Sequence, residues 1–184
     1  MVFIFLVIGI PLILSLFFTS RTNGKIVINE RIEAPYLNNN GKDLQLVFYG
    51  YVGCTKVCAP MLHDLSVFYD SAEFSPLKPF VGFSFVNLMP QIKPDQPDVF
   101  AKSFNPLFNG IYLTQKEIMT IDREFGLFFS RRLSEPDEID HSDYLYLVQR
   151  QENGDLILLN IYMTHPLNSK SLVTDIQHYL KGAK

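Results

Sequence analysis

Leu44-Gln45-Leu46-Val47-Phe48-Tyr49-Gly50-Tyr51-Val52-Gly53-Cys54-Thr55-Lys56-Val57-Cys58-Ala59-Pro60 carries the protein from a strand into a helix. Its first six residues make a short, largely apolar run of the kind a buried strand requires, and the stretch from about Thr55 to Tyr69 reads as a helix. Cys54 and Cys58 fall where one becomes the other. Residues four apart on a helix share a face, with Cβ atoms about 5–6 Å apart, so both sulfurs can converge. A helix start also presents free N–H groups and a positive dipole end, which lower a thiol pKa from about 8.5 and favour thiolate. Gly50 and Gly53 give the connection the backbone freedom of a tight turn and keep side chains off the sulfurs.

Outward from this unit the pattern alternates. Phe80 to Asn87 reads as a second strand, with a short helix after Pro94. Thr114-Gln115-Lys116-Glu117 is a capping box, opening a helix toward Phe125. A charged, proline-containing loop runs from Arg131 to Asp140. Tyr144–Val148 and Leu156–Ile161 then flank Asn153-Gly154, a strong hairpin signal. Asn168 can cap a last helix to about Leu180, with Leu172, Val173, Ile176, Tyr179 and Leu180 at helical spacing. Upstream, Thr22 to Lys42 is polar and contains Asn38-Asn39-Asn40-Gly41, which suits a tether leading into an early hairpin, the compact part starting near Lys25. This order of elements predicts an α/β, thioredoxin-like fold: a central mixed sheet flanked by helices.

The protein has 184 residues and a formal charge of −3, from 16 Lys and Arg against 19 Asp and Glu. That is room for one ordinary domain, and it offers no basic field to hold a phosphate backbone, so nucleic acid is not an expected partner. With 47% hydrophobic, 19% charged and 14% aromatic residues, the chain is not of disordered composition. Met1 to Phe18, MVFIFLVIGIPLILSLFF, has no charge, and an 18-residue helix would span about 27 Å, just enough to cross a bilayer. It lacks the basic start and small-residue cleavage site of a signal peptide. The expected organisation is therefore an N-terminal transmembrane anchor over residues 1–20 and a thioredoxin-like domain over 21–184. Arg21, Lys25 and Arg31 follow the run and no basic residue precedes it, a bias that argues against export of the domain.

Three kinds of chemistry suit two cysteines with three residues between them. Thioredoxin-like dithiol exchange normally uses two intervening residues. A structural disulfide fits a helical i,i+4 separation but closes only a five-residue segment and would stabilise little. A metal site needs another ligand from elsewhere, and two sulfurs with a nitrogen donor suit copper. There are four histidines. His63 lies about 180° around the helix from Cys54, His165 precedes a proline in a loop, and His178 sits in the last turns of the final helix; none reads as a ligand. His141, in Asp140-His141-Ser142-Asp143, follows the charged loop and starts the hairpin, with Asp140 and Asp143 as acceptors for a ring N–H. Met61 shares the Cys54 face and reads as core packing, with a weak thioether ligand as its other role.

Together these residues resemble the Sco/SenC family of membrane-anchored, thioredoxin-fold copper chaperones, which help assemble the dinuclear copper A centre of cytochrome c oxidase. The resemblance covers nearly everything after the apolar run. Val47 to Tyr51 leading into Cys54 and Cys58 is similar to the family's strand and copper-binding loop. Phe83-Ser84-Phe85-Val86-Asn87, with Lys93-Pro94-Asp95-Gln96-Pro97 beyond it, resembles the second strand. Phe104 to Gly110, then Asp140-His141-Ser142 with Tyr146-Leu147-Val148, resembles the approach to the family's distal histidine. The resemblance implies Cu(I) or Cu(II) held by Cys54, Cys58 and His141, and attachment to a loop would make His141 the movable ligand. It implies an accessory protein, not an enzyme with turnover. Its partners would be the copper-binding subunit of cytochrome c oxidase and other copper donors or thiol reductants, met at an inner membrane with the domain in the periplasm, or in the intermembrane space if mitochondrial. A thiol:disulfide reductase or redox sensor acting on oxidase-subunit cysteines is the alternative: it needs the cysteines but not His141. The sequence departs from the family at Thr55 and Ala59, where prolines are usual, at Val52, where threonine is usual, and at Asn87, where an aspartate is usual. No ligand is removed.

Overall fold

A computed structural model describes residues 24–131 and 138–182. The apolar run Met1–Phe18 lies outside them; among the described residues no helix is long and apolar enough to cross a membrane. The strands are β1 (Lys25–Ile32), β2 (Leu44–Gly50), β3 (Val81–Asn87), β4 (Phe108–Tyr112), β5 (Phe129–Arg131), β6 (Ile139–His141), β7 (Tyr144–Arg150) and β8 (Leu156–Met163). The helices are α1 (Cys58–Tyr69), α2 (Gln96–Phe104), α3 (Gln115–Phe125) and α4 (Ser169–Gly182).

Six strands form one mixed sheet in the order β1-β8-β7-β2-β3-β4, and β5 pairs with β6 in a small second sheet. Helices flank the large sheet, as expected of the thioredoxin-like class. β2 and β3 are parallel, from Leu44 opposite Val81 to Gly50 opposite Asn87, and every residue of both is buried. That explains their near-continuous apolar sequences, since a parallel pair at the centre of a sheet is covered on both faces. Tyr49, Phe125 and Tyr146 pack edge to face on the core, and Phe83 stacks against Phe108.

Local signals are realised where the sequence places them. Thr114 and Glu117 close the capping box, and Asn168 Oδ1 accepts the Ser171 N–H at 3.0 Å. β7 and β8 pair antiparallel across the Asn153-Gly154 turn, where Gly154 has φ +89°. Four expectations change. β1 makes no early hairpin; it pairs with β8, and Pro35–Asn40 is a 3-10 helix closed by left-handed Gly41. β4 was not expected; its Gly110 lets the α2 backbone come so close that a Cβ there would meet the Pro97 carbonyl. Helix α1 begins at Cys58, not Thr55, so Cys54 precedes it. His141 does not start the hairpin, whose first strand begins at Tyr144; it ends the separate short strand β6. Residues 132–137 of that loop lie outside the described residues.

Candidate metal centre

β2 delivers the cysteines to the edge of the core. Beyond Gly50 the chain turns with Gly53 at φ +93°, and the Cys54 N–H returns to the Tyr51 carbonyl at 3.2 Å. Cys58 donates its backbone N–H to Cys54 Sγ at 3.2 Å. The sulfur therefore stands where Ser, Thr, Asp or Asn would cap a helix, while Val57, at the cap position, makes no side-chain cap bond. The sulfurs converge through this turn and not through one helical face. Gly50 is required here: a Cβ would lie 2.8 Å from Cys58 Sγ and 3.0 Å from the Phe85 ring.

Asn87, fully buried at the end of β3, secures the turn from behind. Its Oδ1 accepts the Val52 N–H at 3.0 Å and its Nδ2 donates to the Met89 carbonyl at 2.6 Å. A carboxylate could accept the first bond but could not make the second.

His141 arrives from the other side, opposite Phe129 in the β5–β6 pair. Its Nε2 lies 3.5 Å from Cys58 Sγ, and the two sulfurs and a ring nitrogen all fall within 4.8 Å of one another. The other nitrogen, Nδ1, donates to the Ser142 carbonyl at 3.0 Å, which turns Nε2 toward the sulfurs. The ring N–H goes to this carbonyl and not to Asp143, which pairs with His165 at 3.3 Å. Phe48 and Tyr51 present ring edges to the imidazole at centroid distances of 6.5 and 6.1 Å. Lys56, between the cysteines, bridges to Glu138 at 3.2 Å and so ties the turn to the arm that carries His141.

Both cysteines are buried and unlinked. The Cys54 thiol is pulled down to about 3, chiefly by a hydrogen bond from the Cys58 side chain; burial opposes this, and His141 and the Cys58 and Val57 amides assist. That same bond, with burial, pushes Cys58 well above the thiol range. For His141, burial disfavours the charged ring, but the bond to Cys54, the Ser142 carbonyl and the Cys54 and Asp143 charges outweigh it and raise the pKa. Burial, then the Cys54 charge and a hydroxyl bond to that sulfur, keeps the Tyr51 phenol protonated.

His63, His165 and His178 are exposed and away from this group, and Met61 is buried in the core. Sequence reading missed Tyr51, Asn87 and Glu138 as supports. Only Asn87 carried a signal, a polar residue ending an apolar strand.

A thioredoxin-like domain with two sulfurs and an imidazole gathered beyond its central strand defines a thiol-based protein with a compact site suited to a soft metal. The chain belongs to the SCO1/SenC family, whose model matches residues 29–181. It is 25% identical over 147 residues to a SCO2-like protein of Rickettsia felis, a match covering 76% of this chain and 65% of that one, so less than two thirds of the relative's length. Arabidopsis thaliana ScoI with copper bound shares the fold at a TM-score of 0.64 and 19% identity, over 77% of this chain and 89% of that one. BsSco, described as a Sco-family cytochrome c oxidase assembly protein with a disulfide switch, aligns at a TM-score of 0.55 and 17% identity, over 83% and 91%.

Proposed function

We propose that this protein is a copper-binding accessory protein that carries Cu(I) or Cu(II) on Cys54, Cys58 and His141 and delivers it to the copper A centre of cytochrome c oxidase. The observation that carries the reading is the gathering of two thiols and an imidazole nitrogen within 4.8 Å. Two soft sulfurs and one nitrogen form a donor set for copper, and an ion bound there displaces the proton of Cys58. The copper-bound relative and the oxidase-assembly description of BsSco support the same reading. The protein acts by binding and handing over its cargo, not by turnover. Residues 1–18 anchor it in the inner membrane with the domain in the periplasm, or in the intermembrane space if mitochondrial, and its partners are the oxidase's copper-binding subunit and copper donors or thiol reductants.

Addition of Cu(II) to the reduced domain from Arg21 onward tests this. A sulfur-to-copper charge-transfer band is expected, lost in Cys54→Ser and weakened in His141→Ala. A domain that oxidises to a disulfide and retains no copper overturns the reading.

A second reading is favoured by the split between the two thiols. A Cys54 thiolate beside a protonated, buried Cys58 is also the pairing of a thiol:disulfide reductase. Cys54 attacks a client disulfide and releases one client thiolate; Cys58 then gives its proton to that thiolate, attacks the Cys54 sulfur and releases the second client thiolate, so the client gains two electrons and the pair becomes a disulfide. Disulfide reduction that survives metal chelation and the loss of His141 selects it.

A further inference from the structure

The chain enters its domain at the same end of the sheet as the metal centre. Lys25 pairs with Tyr162 at the start of β1, and Gly24 accepts the Met163 N–H at 2.7 Å. Met163 is opposite Tyr144, and Leu145 opposite Phe48, so Gly24 is level with the end of β2, from which the cysteine turn departs. β1 and β2 are separated by β8 and β7, three strand spacings or about 14 Å. The opposite end of the sheet, with the Asn153-Gly154 turn, lies about 25 Å further along the eight-residue β1.

We propose that the domain is held with its cysteine–histidine end against the lipid surface, so that a partner exchanging metal with it must present its ligands at the membrane. The inference rests on residues 1–18 being the anchor. Between Phe18 and Lys25 stand Thr19 to Gly24, six residues that reach at most about 20 Å when fully extended. That is shorter than the sheet, so the chain cannot turn the domain end over end while the anchor remains in place. The rim of this end carries exposed apolar side chains. Phe128, whose backbone bonds to Ser142 beside His141, is 64% exposed, and Met163 beside Gly24 is 45% exposed. The partner surface is thus the membrane itself, and the class of client it selects is a membrane protein with thiol or imidazole ligands close to its headgroup level.

The test uses the full chain in phosphatidylcholine–phosphatidylglycerol bilayers with acceptor dye on lipid headgroups. A donor dye is placed at Thr55→Cys or at Asn153→Cys, both in a Cys54→Ser/Cys58→Ser background. Energy transfer several-fold stronger from position 55 than from 153 is expected. Equal or stronger transfer from 153, in protein that is bilayer-bound, overturns the orientation and leaves the anchor standing. Protein that stays out of the bilayer removes the anchor, and the orientation with it. Copper binding by the domain from Arg21 onward is read separately and moves with neither.

Discussion

Cys54 and Cys58 close a turn that grows out of fully buried β2, whereas His141 ends a three-residue strand paired with another of three residues. The turn is bound to the core at Val52 by Asn87, at Gly50 by Leu88 and within itself by the sulfur cap. The arm is held by the β5–β6 pair, by Ser142 against Phe128 and by the Lys56–Glu138 bridge. The difference teaches where adjustment resides. The dithiol half cannot shift without disturbing the sheet, so on the proposed function exchange of the third ligand is expected at the arm.

This contrast predicts unequal responses to substitution. Gly50→Val drives side-chain atoms into Cys58 Sγ and the Phe85 ring and should cost about 3 kcal/mol, read by urea unfolding. A stability unchanged within error would show that the turn is as adaptable as the arm. Asn87→Leu strands the Val52 N–H and the Met89 carbonyl and should cost about 2 kcal/mol, with slower copper uptake. Asn87→Asp keeps the first bond only and should fall between this variant and the native protein.

His141→Ala should lower copper retention strongly while shifting the unfolding free energy by under about 1 kcal/mol, because the ring is held from the arm and not from the sheet. Loss of fold in that variant would make the arm part of the core. The two thiols should also differ with pH. Cys54, ionised above about 3, should react with iodoacetamide at a nearly constant rate from pH 5 to 8, slowing only as pH approaches 3, while Cys58, held above the thiol range, stays slow throughout. Mass mapping of the labelled peptide against pH decides it; a rate for Cys54 that climbs tenfold per unit to pH 8 would mean an ordinary thiol. The smallest effect is expected at the bridge. Lys56→Met should speed copper release about twofold and remove its sensitivity to salt, as for a partly exposed ion pair.

Signals spanning a few residues were legible. The capping box at Thr114, the Asn153-Gly154 hairpin and the Asn168 cap each need only neighbours within about four positions, and each is present in the structure. The pairing of β1 with β8 joins residues more than 120 positions apart and leaves no local mark, so an early hairpin was the nearer reading. β5 and β6 are too short to show a period. The helix start was misplaced because Cys54 caps it with a sulfur, a group that cap preferences built on oxygen do not anticipate.

The sequence by itself determined the chemistry on offer: two thiols where a buried strand turns into a helix, one histidine in a distinct context after a charged loop, and an apolar run ahead of them. Residue types and short spacings carry that information, because propensity, capping and softness are local properties. Only the tertiary structure decided that the imidazole meets the sulfurs, that Asn87 and Gly50 shape the space around them, and that β1 begins at the same end of the sheet as the site. Those facts depend on strand order and register, which arise when distant apolar faces are buried together.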